Sequence, residues 1–159
     1  MTDAASAPSA DTPLTTAQSA ILDLVLDLIL PPSAERRLPG AAELGVPAYL
    51  AAQAPEALPL IARELDALEA RARDQHAQGF ATLPAAQRQA LVDSLRAQDA
   101  SFMSRLALET VTCYYQHDRV LEALGMETRA PYPQGFQVIA GDLALLAPVR
   151  RRGKVYRDA

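Results

Sequence analysis

Cysteine and tryptophan are almost missing from this chain of 159 residues, which has one Cys and no Trp. A single thiol, Cys113, excludes an internal disulfide framework and any zinc or iron–sulfur site built from several cysteines. Aromatic residues are sparse as well, three Phe and five Tyr. No apolar run approaches the ~20 residues of a membrane span, so membrane insertion is not expected. No glycine-rich phosphate loop is present, because Gly40, Gly45, Gly135 and Gly141 have neither dinucleotide nor P-loop spacing. The G-x-S-x-G elbow of serine hydrolases is absent, and so is the aromatic–basic interleaving of RNA-binding modules. What remains is rich in Ala and Leu and poor in β-branched residues, a composition that favours helix over sheet. At 17.0 kDa the chain is one domain in size, large enough for an ordinary core.

Charge is unevenly placed. The whole chain carries −4, which argues against a nucleic-acid binder that uses its entire surface. Yet Arg150, Arg151, Arg152, Lys154 and Arg157 face only Asp158 among the last ten residues, a local +4 that leaves −8 elsewhere. A basic tail on an acidic body suits docking to an acidic partner, self-association or nucleic acid; a merely solvated C-terminus is the bland alternative.

Residues 1–13 are small, polar and Pro-containing, and are expected to be disordered. No basic residue precedes Arg36, and Arg36-Arg37 runs into Leu-Pro-Gly, unlike an export signal. The chain taken alone is therefore expected in the cytoplasm. A periplasmic location would require export with a signal-bearing partner.

Helical periodicity dominates residues 14–125. Thr15 and Gln18 stand at capping-box spacing ahead of Ile21, Leu22, Val25, Leu26 and Ile29, and Pro31-Pro32 ends that helix. Ala41 to Leu44 predicts one turn stopped by Gly45, and a short helix is expected from Pro47 to about Gln53. Residues 58–78 carry the longest pattern, with Gly79 as its stop and Glu69–Arg73 as an i, i+4 ion pair. Three further helices are expected, one with Pro84 early in its first turn, one from about Ala100 to Tyr115, and one from Asp118 to Leu124, closed by Gly125. From Met126 onward Pro and Gly recur, with one turn expected at Leu143 to Leu146 behind Asp142 and apolar anchors at Tyr132, Phe136, Val138, Ile139 and Tyr156. The expected fold is all-α, a compact bundle of about five to six helices with an extended Pro/Gly-rich C-terminal arm. The expected segments are 1–13 disordered, 14–125 helical, and 126–159 an arm with a basic C-terminus.

Catalytic chemistry finds little support. Cys113 and His117 are one helical turn apart, but two ligands make no stable zinc site, and a buried Cys beside a helix-terminal His is the simpler reading. Glu109 lies in an apolar helix without a partner carboxylate, and a structural pairing with a nearby Arg is the simpler reading there. No catalytic, cofactor-binding or metal residue is assigned. The tail combines residue types enriched at interface hot spots, so Tyr132, Phe136, Arg151, Arg152 and Tyr156 are the candidate partner-binding residues. The same residues would alternatively fold back onto the helices.

Several stretches resemble the gluconate 2-dehydrogenase subunit 3 family, small subunits that accompany flavin-dependent dehydrogenases of the glucose–methanol–choline type. LTTAQSAILDLVLDLILPP is similar to the family's first helix and its Pro-containing turn. PGAAELGVPAYL resembles the loop in which Gly-Val leads into a short helix. FATLPAAQRQALVDSL, the aromatic YYQHDRVLEALG and the Pro/Gly-rich ending follow in the family's order, over roughly residues 14–145. The resemblance implies a non-catalytic accessory or maturation subunit, with FAD in a large partner subunit and none bound by this chain. Many members carry a twin-arginine leader, which the opening residues here do not resemble. Two rivals stand beside this reading. One is a helical regulator or adaptor whose basic tail binds nucleic acid or an acidic protein; the other is a small stand-alone enzyme built on Cys113, His117 and Glu109. A homo-oligomer is a further expectation for the isolated chain.

Overall fold

The computed structural model describes residues 14–33, 35, 37–130, 132–133, 135 and 140–155. Among them the chain is all-helical, with seven α-helices and no strand. It divides into two compact units, Met1–Thr128 and Arg129–Ala159.

The first unit holds six helices: α1 (Thr16–Ile29), α2 (Val46–Gln53), α3 (Leu58–His76), α4 (Ala85–Gln98), α5 (Ala100–Gln116) and α6 (Asp118–Ala123). Three 3-10 turns, Ala41–Leu44, Pro55–Ala57 and Phe80–Thr82, join them. Helix α1 starts as its sequence dictates. The Thr15 hydroxyl accepts from the Gln18 backbone N–H at 3.2 Å, and the Gln18 side chain accepts from the Thr15 N–H at 2.9 Å. Ile21, Leu22, Val25 and Leu26 point inward from it.

Helix α5 is the hub, packing against α1, α2, α4, α6 and the Ala41–Leu44 turn. Its buried side is Phe102, Met103, Leu106, Thr110, Cys113 and Tyr114. Phe80, Leu22, Leu26, Leu50, Leu65, Leu68 and Leu95 are enclosed in the same core. Two buried hydroxyls are satisfied internally. Thr110 donates to the Leu106 carbonyl at 2.7 Å, and Tyr114 donates to the Pro39 carbonyl at 2.8 Å. The latter fixes the loop after α1 to the hub helix across 75 positions of sequence.

Two carboxylates bind loop backbone. Asp27 on α1 accepts from the Ala42 N–H at 3.1 Å, and Glu69 on α3 accepts from the Phe80 N–H at 2.8 Å. Each approach is open because a glycine lies beneath it. A Cβ at Gly40 would meet the Asp27 carboxylate at 2.5 Å, and one at Gly79 would meet Glu69 at 2.9 Å. This corrects the sequence reading of Gly79 as the stop of α3. Ala77 takes the left-handed position there, with φ 55°, and Gly79 serves a close approach instead.

Two other helix starts shift. Gly45, at φ 68°, ends one turn and directly opens α2, so α2 begins at Val46 and not at Pro47. Pro84 stands just before α4, outside its first turn. The expected short helix closed by Gly125 is present as α6, with Gly125 at φ 73°.

In the second unit, the Asp142 carboxylate accepts from the Ala144 N–H at 2.9 Å and starts the expected turn Leu143–Leu146. A short helix not expected from sequence, α7 (Ala147–Arg152), continues it with Pro148 in its first turn, where a missing N–H costs nothing. Phe136, Val138, Ile139 and Tyr156, expected as apolar anchors, lie outside the described residues, as do residues 1–13.

Candidate functional site

The residues first weighed for chemistry are not brought together. Cys113 is buried on α5, and burial pushes its thiol up from the ordinary value. His117 does not share a helical face with it. Helix α5 ends at Gln116, and His117 has extended backbone (φ −80°, ψ 131°). Its Nδ1 accepts from the Arg119 N–H at 3.3 Å, so the imidazole caps α6. The helix breaks between the two residues, and what stands there is a buried Cys beside a helix-terminal His, the simpler reading of the spacing.

Glu109 is half-buried beside a shallow apolar recess lined by Leu50, Leu60, Ile61, Phe102 and Leu106. The recess has room for about one water, ≈ 10 Å³. The expected pairing of Glu109 with a nearby arginine is not seen among the described residues. Arg105, one turn earlier, goes to Glu56 at 2.7 Å. Among the described residues no three His, Cys, Asp or Glu side chains gather in a way that could hold a metal ion. No helix there is long and apolar enough to cross a membrane.

Exposed apolar and cationic side chains supply the more definite surface. Tyr132 is 88% exposed. Arg151 and Arg152 are exposed on α7, together with Arg150, and none of the three is in an ion pair among the described residues. Phe136 and Tyr156, the other two candidates, lie outside the described residues. Sequence reasoning missed Leu145, Leu146 and Val149, all exposed beside those arginines. Their i, i+1, i+4 spacing was a usable signal, masked by the surrounding Pro and Gly.

A second apolar surface lies on the first unit. Leu108, Val111 and Tyr115 run along the outer side of α5 at i, i+3 and i+7, with Leu108 63% exposed. The Tyr115 ring stands edge-on to Tyr114, centroids 5.2 Å apart at 75°. Because Tyr114 is anchored to Pro39, its neighbour is presented from a rigid base. Leu108 and Val111 fall within the helix expected from about Ala100 to Tyr115, whose apolar residues do not by spacing alone divide into a buried and an open side. Two apolar stripes on one helix, one buried and one open, are the mark of a helix with a second surface to cover.

No curated protein and no solved structure matches the chain. The family model for "Gluconate 2-dehydrogenase subunit 3" matches residues 16–127, which takes in all six helices of the first unit. The chain belongs to the gluconate 2-dehydrogenase subunit 3 family.

Proposed function

We propose that this protein is a non-catalytic accessory subunit that binds a large FAD-dependent sugar or alcohol dehydrogenase subunit of the glucose–methanol–choline type. The family's name supports membership of a dehydrogenase complex. The observation that carries the binding reading is the exposed pairing of apolar and cationic side chains in the C-terminal unit. Tyr132, Arg151 and Arg152 stand open to solvent, and among the described residues no ion pair draws on the two arginines. Phe136 and Tyr156 complete the proposed interface. Aromatic and arginine side chains contribute most where they become desolvated against a partner.

In this reading the chain binds no cofactor, and FAD belongs to the partner. Its work is to cover apolar surface on the flavoprotein and keep that subunit competent for its cofactor. The complex forms in the cytoplasm, and reaches the periplasm only if the partner carries an export signal.

The test is affinity capture of the tagged chain from its own host, with flavin absorbance and protein identification on the eluate. A flavin-bearing oxidoreductase is expected. Arg151→Glu with Arg152→Glu is expected to release it. Retention of the flavoprotein by a chain truncated after Gly125 would remove the tail from the interface.

A further inference from the structure

This single chain carries two exposed apolar surfaces set in segments of opposite net charge. The segment Leu143–Arg152 presents Leu145, Leu146 and Val149, exposed, beside Arg150, Arg151 and Arg152, which are in no ion pair among the described residues. Residues 129–159 sum to +4, from six cations against Asp142 and Asp158. Residues 1–128 hold the remaining nine cations and seventeen acids and so sum to −8. On that acidic unit, the outer side of α5 presents the apolar stripe Leu108, Val111 and Tyr115. Two exposed carboxylates, in no ion pair among the described residues, follow it in the chain: Asp118 and Glu122, one turn apart on α6.

We propose that the isolated protein pairs with a second copy of itself, the Leu143–Arg152 segment of each protomer docking on the outer side of α5 of the other. Leu145, Leu146 and Val149 cover Leu108, Val111 and Tyr115 of the second copy. The arginines meet its Asp118 and Glu122. Apolar matching supplies contact, and opposite charge supplies register and orientation. The exchange proposed is reciprocal: each protomer's segment sits on the other's α5, which uses both surfaces of both copies and relates them by a two-fold axis. The pairing concerns the chain by itself and does not rest on the dehydrogenase reading.

Sedimentation equilibrium on the full chain tests it, with no partner added. A monomer–dimer equilibrium is expected that weakens at least tenfold between about 50 mM and about 500 mM salt. Two variants change only exposed positions. R150E/R151E/R152E removes the cations, and L108S/V111S removes the stripe; circular dichroism confirms that each keeps its helices. Each alone is expected to dimerise at least tenfold more weakly than the natural chain. An equimolar mixture is expected to form heterodimers where neither variant self-associates, because one intact tail then meets one intact stripe. A natural chain that stays monomeric at about 0.5 mM would overturn the proposal. So would a dimer insensitive to both variants, or a mixture without heterodimer, which is the outcome if the tail docks on its own chain.

Discussion

Glu69 Oε2 accepts the backbone N–H of Phe80 at 2.8 Å, while its Oε1 accepts from Arg73 Nε at 2.8 Å. One carboxylate thus ties the end of α3 to the loop that seats Phe80 in the core. The Phe80 N–H holds the Glu69 carboxyl below the usual carboxylate range, against partial burial and with help from Arg73. The group is depressed in the folded state, so its stabilisation is full above its unfolded value of about 4.3 and fades as pH falls through the folded one. Glu69→Ala should cost about 1–2 kcal/mol in urea unfolding at neutral pH. Glu69→Gln should flatten the loss of stability on acidification below pH ~4. Equal acid sensitivity of natural chain and variant would remove Glu69 from this role.

Gly79→Ala should be destabilising although its backbone is ordinary. The added methyl would stand 2.9 Å from the Glu69 carboxylate and push it off Phe80. The Glu69→Ala change should remove most of that penalty, a coupling that a double-mutant cycle reads directly. Full additivity would contradict the close-approach account.

Tyr114→Phe leaves the buried Pro39 carbonyl without its donor. A loss of about 1–3 kcal/mol is expected, with the helical circular dichroism unchanged. A loss below about 0.5 kcal/mol, the scale of a neutral surface change, would mean the hydroxyl is not needed there.

Asp23 is partly buried on α1, and its carboxyl is pushed up by that burial and then by Asp27 one turn on. A raised carboxyl favours the folded state below its unfolded pKa and loses that contribution as pH rises through the folded value. Asp23→Asn should therefore raise the melting temperature at pH 7, by about 0.2–0.5 kcal/mol of stability, the size of a like-charge pair at this spacing. The gain should vanish near pH 3. A drop at pH 7 would contradict it.

The two stripes of α5 should separate cleanly in a stability assay. Leu106→Ala, on the buried side, should cost about 2–5 kcal/mol. Leu108→Ala, on the open side, should stay within about 0.5 kcal/mol.

Local signals carried much of the fold. The Thr15–Gln18 box, the Pro31-Pro32 stop, the turns ended by Gly45 and Gly125, and the Glu69–Arg73 pair are all contacts within four residues, which spacing reveals. Glu69 to Phe80, Asp27 to Ala42 and Tyr114 to Pro39 span 11, 15 and 75 positions. No sequence period encodes them, so Gly79 was read as a helix stop when it clears space for a carboxylate. Helix α7 escaped because Pro148 reads as a breaker until its first-turn position is known. Of the candidate surface, the sequence offers Tyr132, Arg151 and Arg152, which are exposed, but not the exposed apolar Leu145, Leu146 and Val149 beside the arginines. Cys113 and His117 were legible as a buried Cys beside a helix-terminal His, because the one-turn spacing, the apolar run before Cys113 and the end of that run at His117 are all local.

The central claim is that this chain accompanies a flavoprotein. Affinity capture from its own host, read by flavin absorbance and protein identification, tests it most directly. A yellow eluate holding a large oxidoreductase, lost with Arg151→Glu and Arg152→Glu, is the predicted result. A colourless eluate with no oxidoreductase, from cells that express the chain at its natural level, would contradict it.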